Sequence, residues 1–295
     1  MMSRSTDFGF SPGEIGRDDS VGIFTLIIRM TRIVMSVNRP AWILPLALSA
    51  LFFLCSCAPS AYFLKPEERL SQDEMLTQLN LIVNRYTSIR GLASGSFTIS
   101  GKWRSTDQVV LANHPDSLRL EVLGLFGTPA LLAASNGVDA TVLLPGEGRA
   151  IVGPAGPGFL RGTLKLPLST REVLSILLVR PDIIAWSEVE ARYPENRTSR
   201  LVLGAGRSVQ EFDFDENHEL VQVRSYADDV LLKTVRYSRY VNGYPEKMEL
   251  HIPARSVVVK LEFSDVEYNV EHKEGIFKLI PPSGYMIEHA HVGIR

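Results

Sequence analysis

Val257-Val258-Val259-Lys260-Leu261-Glu262-Phe263 places Val257, Val259, Leu261 and Phe263 at alternate positions. Successive side chains of a strand point to opposite faces, so these apolar residues share one face. Val258, Lys260 and Glu262 take the other face, which is mostly polar. A strand with one face on a core and one in water is the habit of antiparallel sheets. The signature recurs upstream at residues 95–103, 107–113, 117–123, 130–135, 139–144 and 149–152. Asn136-Gly137 and Pro145-Gly146 punctuate that series, and Asn-Gly between apolar runs is a strong hairpin signal. It recurs again at residues 183–189, 199–203, 208–214, 220–226, 231–240, 247–252 and 256–268. About eleven to thirteen short strands with few helices predict a β-barrel or a strongly curved sheet.

Two helices interrupt the strands. Ser71 and Glu74 form a capping-box pair at the head of the first. Met75, Leu76, Leu79, Ile82, Val83, Tyr86 and Ile89 follow on one apolar face, and Gly91 is expected to end it. Ser169 and Glu172 repeat the capping signature ahead of Val173, Leu174, Ile176, Leu177 and Leu178, with Pro181 beyond. Between them, the glycine- and proline-rich run at residues 153–158 reads as a flexible loop.

Residues 41–54 carry no charge and are shorter than the roughly 20 apolar residues that span a bilayer. Arg32 and Arg39 lie upstream, as in the basic region of a signal peptide. Leu54-Cys55-Ser56-Cys57 ends the run and resembles the bacterial lipobox. That resemblance implies cleavage after Ser56 and acylation of Cys57 with diacylglycerol and an N-acyl chain. No other cofactor is implied. The chain has two cysteines, so this reading leaves no thiol pair for a disulfide. Ala58 stands where an aspartate would retain a lipoprotein at the inner membrane, which points to the outer membrane, facing the periplasm. Residues 1–34 precede the signal and read either as an over-extended reading frame ahead of a true start at Met30 or Met35, or as a cytoplasmic extension. The expected organisation is then a signal peptide at 35–56, a lipidated tether at 57–70 and one domain at 71–295.

The chain has 295 residues, net charge −2, 45% hydrophobic and 22% charged residues. No basic stripe points to nucleic acid. The six histidines are scattered apart from His289 and His291, and no metal site is expected from them. No G-x-S-x-G is present, and Ser94 falls one place too late for a nucleophile elbow. The run at 153–158 lacks the Lys-Ser/Thr of a phosphate cradle. Glu211, Asp213 and Asp215 alternate with Phe212 and Phe214, and read as a solvated strand face with the phenylalanines inward. No catalytic residue is assigned and an enzyme is not expected.

The ordered motifs resemble the LolB and LolA-like lipoprotein carriers. The resemblance rests on Gly95-Ser96-Phe97-Thr98-Ile99-Ser100-Gly101-Lys102 and on Leu118-Arg119-Leu120-Glu121-Val122-Leu123-Gly124-Leu125-Phe126-Gly127. Asn136-Gly137, residues 164–168, residues 242–247 and Pro281-Pro282-Ser283-Gly284 add to it. It implies a mainly β, α+β fold: an incomplete antiparallel β-barrel of about 11 strands, with helices closing the open face. It further implies an apolar interior that receives acyl chains of other lipoproteins, a periplasmic LolA-like carrier as donor, and a membrane reached through the lipid anchor. The family carries a leucine in a "PLG" turn that helps insertion. Here Phe126 stands in its place and Leu125 replaces the proline. Leu125 and Phe126 are therefore candidates for a membrane-insertion loop, unless they fold onto the core. A continuous apolar cavity beneath the first helix would favour a carrier. A filled interior with an exposed apolar patch would favour a structural subunit of an export or secretion complex.

Overall fold

The computed structural model describes residues 69–290 except 100, 165, 196 and 197. Helix α1 (Gln72–Arg85) is capped by Ser71, whose hydroxyl accepts from the Glu74 N–H while Glu74 accepts from the Ser71 N–H. Met75, Leu79 and Ile82 bury the expected face. The helix stops earlier than the apolar spacing predicts. Tyr86 is already extended, and strand β1 (Ser88–Ile99) contains both Ile89 and Gly91. Asn269 fixes this corner by accepting from the Thr87 N–H and donating to the Arg85 carbonyl. Ile89 is fully buried from the strand, so it mimicked a helical position. A Cβ on Gly91 would lie 2.7 Å from the Asp265 carbonyl oxygen. This glycine serves close strand approach, not helix termination.

The strands continue as β2 (Lys102–Asn113), β3 (Ser117–Leu123), β4 (Pro129–Asn136), β5 (Asp139–Leu144) and β6 (Arg149–Pro154). Helices α2 (Phe159–Leu164) and α3 (Thr170–Leu177) follow. Then come β7 (Glu188–Arg192), β8 (Ser199–Ala205), β9 (Ser208–Phe214), β10 (Leu220–Ala227), β11 (Val230–Val241), β12 (Tyr244–Ile252), β13 (Val257–Tyr268) and β14 (Met286–His289).

All fourteen strands form one sheet in the order β14-β6-β5-β4-β3-β2-β1-β13-β12-β11-β10-β9-β8-β7. The expected count of about 11 is too low. β14 escaped sequence reading because its four residues show no alternating pattern, and it adds to β6 in parallel. The run expected at 183–189 forms a strand only at Glu188–Arg192. Two meanders, β1 to β6 and β7 to β13, are joined where β1 pairs with β13. The sheet does not close: β7 and β14 are its edges. Glu188, Glu190 and Arg192 line the β7 edge with exposed charge, which discourages pairing with another chain.

On β13, Val257 and Phe263 are buried and Val259 and Leu261 pack against the same core. Lys260 and Glu262 face out and pair across to Glu249 at 3.4 Å and Lys247 at 3.1 Å. Helices α1 and α3 bury their apolar faces in this core together with Phe212 and Phe214. Tyr86, Tyr244 and Phe263 fill it in edge-on contacts, and the Tyr244 hydroxyl donates to the Leu177 carbonyl at 2.7 Å. A second cluster forms where Phe159 and Leu160 of α2 meet Ala133, Ala140 and Val142. Within the run at 153–158, Gly153 and Pro154 end β6 and the remaining residues turn the chain into α2. The Ala155 N–H donates to the Val138 carbonyl and the Phe159 N–H to the Gly156 carbonyl.

Glu211 and Asp213 depart from expectation. Phe212 and Phe214 do point inward, but the two carboxylates on the opposite face are buried. Their register partners cover them. Arg200 on β8 reaches Asp213 at 2.6 Å, and Arg224 on β10 reaches Glu211 at 2.7 Å and Asp213 at 2.9 Å. Asp215 lies outside the strand and holds the next turn by accepting from the Asn217 and Glu219 N–H groups.

Candidate functional site

The core is not filled along its whole length. Beneath α3, the concave face of the sheet leaves a cavity with about 590 Å³ of empty space, including the part open to solvent. Register fixes where this space lies. Gly95 pairs with Leu261, which pairs with Met248, and Phe97 pairs with Val259, which pairs with Leu250. On the other side, Val110 pairs with Leu120. These inward positions form the floor, and Leu166, Leu168, Val173, Ile176 and Leu177 form the roof.

Among the described residues no ionisable side chain lines this cavity. Among the described lining residues Gln108 alone is polar. It follows the inward series of Val110 and Ala112 on β2 and is 4% exposed. Among the described residues its amide has no hydrogen-bond partner. Burying an amide unpaired costs roughly 1–3 kcal/mol. Gly95 makes the space: a Cβ there would come within 2.8 Å of the Phe97 ring and 3.0 Å of Gln108 Nε2.

The cavity lies close to one end of the sheet. Gln108 pairs with Val122, two residues before the turn from β3 to β4 begins at Gly124. The Gly124 N–H donates to the Thr128 carbonyl at 2.8 Å, closing that turn. Phe126 sits at its tip with φ 61° and ψ 23° and is fully exposed. Gly127 also has positive φ, at 74°. A left-handed conformation is uncommon for a bulky residue, and it turns Phe126 away from the core it was weighed against. The side chain of Leu125 lies outside the described residues. The β1–β2 hairpin turns at the same end, and there Trp103 is exposed between Lys102 and Arg104.

The space beneath α1, where a continuous apolar cavity would favour a carrier, is filled by Tyr86, Tyr244, Phe212 and Phe214. The opening under α3 was not anticipated. Its roof follows residues 164–168, which were legible only as a motif before a helix. Gln108 was missed because one polar residue in Asp107-Gln108-Val109-Val110 gives no sign of which face it takes. Among the described residues no group of three or more His, Cys, Asp or Glu is placed to hold a metal. No described helix is long and apolar enough to cross a membrane. Cys57, the segments at 1–34 and 35–56, and residues 57–68 of the tether lie outside the described residues.

No protein-family model matches this sequence, and no curated protein is similar to it. Solved structures to which this chain is similar include a DUF1329 family protein from Desulfovibrio piger. It is 15% identical and matches over 69% of this chain and 97% of its own, with a TM-score of 0.48. A LolA superfamily protein from Nitrosomonas europaea is 14% identical over 71% of this chain and 98% of its own, with a TM-score of 0.46. At such identities no site residue carries over.

Proposed function

We propose that this protein is a non-enzymatic, lipid-anchored carrier that takes acyl chains of other lipoproteins into the cavity beneath α3 and passes them to a bilayer. The observation that carries this reading is the cavity itself, which among the described residues is lined by apolar side chains and by Gln108. Burial of an acyl chain there gains roughly 0.8 kcal/mol per CH₂, and a bilayer offers about the same, so release is near balance. The exposed Phe126, on a turn two residues from the register partner of Gln108, supports the second half of the reading. An exposed apolar residue on that turn can enter the bilayer as the cargo leaves. Acylation of Cys57 would hold the domain at the outer membrane, facing the periplasm, where a LolA-like carrier would supply the cargo.

A transfer assay tests this. The protein is loaded with a triacylated lipopeptide and mixed with phospholipid vesicles. Soluble one-to-one complex followed by lipopeptide in the vesicles is the expected result, and Val173→Trp, which fills the cavity, should abolish loading. Failure to bind the lipopeptide, or equal retention of the same peptide without acyl chains, overturns the reading. A structural subunit of an export complex is the second reading, favoured by the filled core beneath α1.

A further inference from the structure

We infer that Gln108 is the group that selects and orients the ligand, by hydrogen bonding to a carbonyl at the head of an acyl chain. The inference rests on the acyl-cavity reading above and deepens it. Gln108 lies on the inward face of β2 among Val110, Leu120 and Phe97, all lining the same cavity. An amide carries two N–H donors and a carbonyl acceptor. In this cavity none of them has a protein partner among the described residues. Most buried polar groups are hydrogen-bonded, so an unpaired amide facing a cavity calls for a partner.

The other lining residues offer a ligand nothing but apolar surface, so a plain hydrocarbon would leave the amide unpaired. An ester- or amide-linked acyl chain brings a carbonyl that the Gln108 Nε2–H can reach. An amide linkage brings an N–H for its Oε1 as well. The surroundings hold Gln108 to this role. Gly95 leaves its Nε2 room, and among the described lining residues none carries a charge that would compete for it. The ligand class is therefore acyl esters and amides, with the carbonyl placed at Gln108 and the chain running over the apolar floor.

Calorimetric titration with two soluble probes below their micelle concentrations tests this. Decanoyl-N-methylglucamide carries an amide carbonyl at the head of its chain, and decyl glucoside carries an ether oxygen there. The wild-type protein is expected to bind the amide probe about tenfold more tightly. Gln108→Leu should bind both probes alike, within about twofold, and should bind the ether probe no more weakly than wild type does. Equal affinity of wild type for the two probes overturns the inference and leaves the acyl-cavity reading standing. A preference that survives in Gln108→Leu overturns it too, because the headgroups would then account for it. Binding of neither probe overturns the acyl-cavity reading and this inference with it. If Gln108→Leu does not fold, Gln108→Met, unbranched like glutamine and without its amide, takes its place in the same comparison.

Discussion

Phe126 holds a left-handed backbone angle and is fully exposed, so it contributes nothing to the core. Replacing it should therefore leave the fold alone. Surface substitutions away from packed features usually stay within about 0.5 kcal/mol. Phe126→Glu should melt with the wild type yet lose transfer of lipopeptide to vesicles while still loading it. Marked unfolding of that variant would place Phe126 in the core. Gly91 is the opposite case, silent in function and demanding in structure. A methyl group there meets the Asp265 carbonyl oxygen and the Val266 Cα, both backbone. Gly91→Ala should cost about 1–3 kcal/mol, the usual range for overpacking a tight site, read by urea denaturation. Sequence could flag Phe126, because two large apolar residues between glycines are unusual in a turn. It could not place Gly91, because a glycine after an apolar run reads equally well as a helix stop.

Among the elements, the capping boxes at Ser71 and Ser169 were legible because they are local: the cap and its partner are three residues apart. The end of α1 was not local. Tyr86 and Ile89 continue the helical spacing, but Asn269, far along the chain, pulls the backbone into β1 at that point. The strand β9 shows the same division. Its alternation put Phe212 and Phe214 inward, as found. The burial of Glu211 and Asp213 depends on Arg200 and Arg224 arriving from β8 and β10, which only strand register sets. Asp213→Ala would leave two arginines half-hidden beside one remaining carboxylate. Breaking a buried pair from one side costs about 3 kcal/mol or more. The expected outcome is a lowered urea midpoint with β8 to β10 losing hydrogen-exchange protection first. An unchanged midpoint would mean that the network is exposed in solution.

At the scale of the whole molecule, one open sheet performs two tasks. One end of its concave face is filled by Tyr86, Tyr244 and Phe263. The other is left open beneath α3, close to the turn that carries Phe126. An antiparallel, curved, mainly β architecture could be read from the alternation at Val257 to Phe263 and its repeats. The position of the cavity could not, because it depends on which of two capped helices stands off the sheet. The central claim is that this cavity holds acyl chains in the protein's native setting. Native mass spectrometry of the full-length protein purified from its own envelope tests that claim most directly. The account predicts a bound acyl lipid or lipoprotein at one per protein, lost in Val173→Trp. A protein with no bound lipid, recovered instead in a stable multi-protein complex, would contradict it.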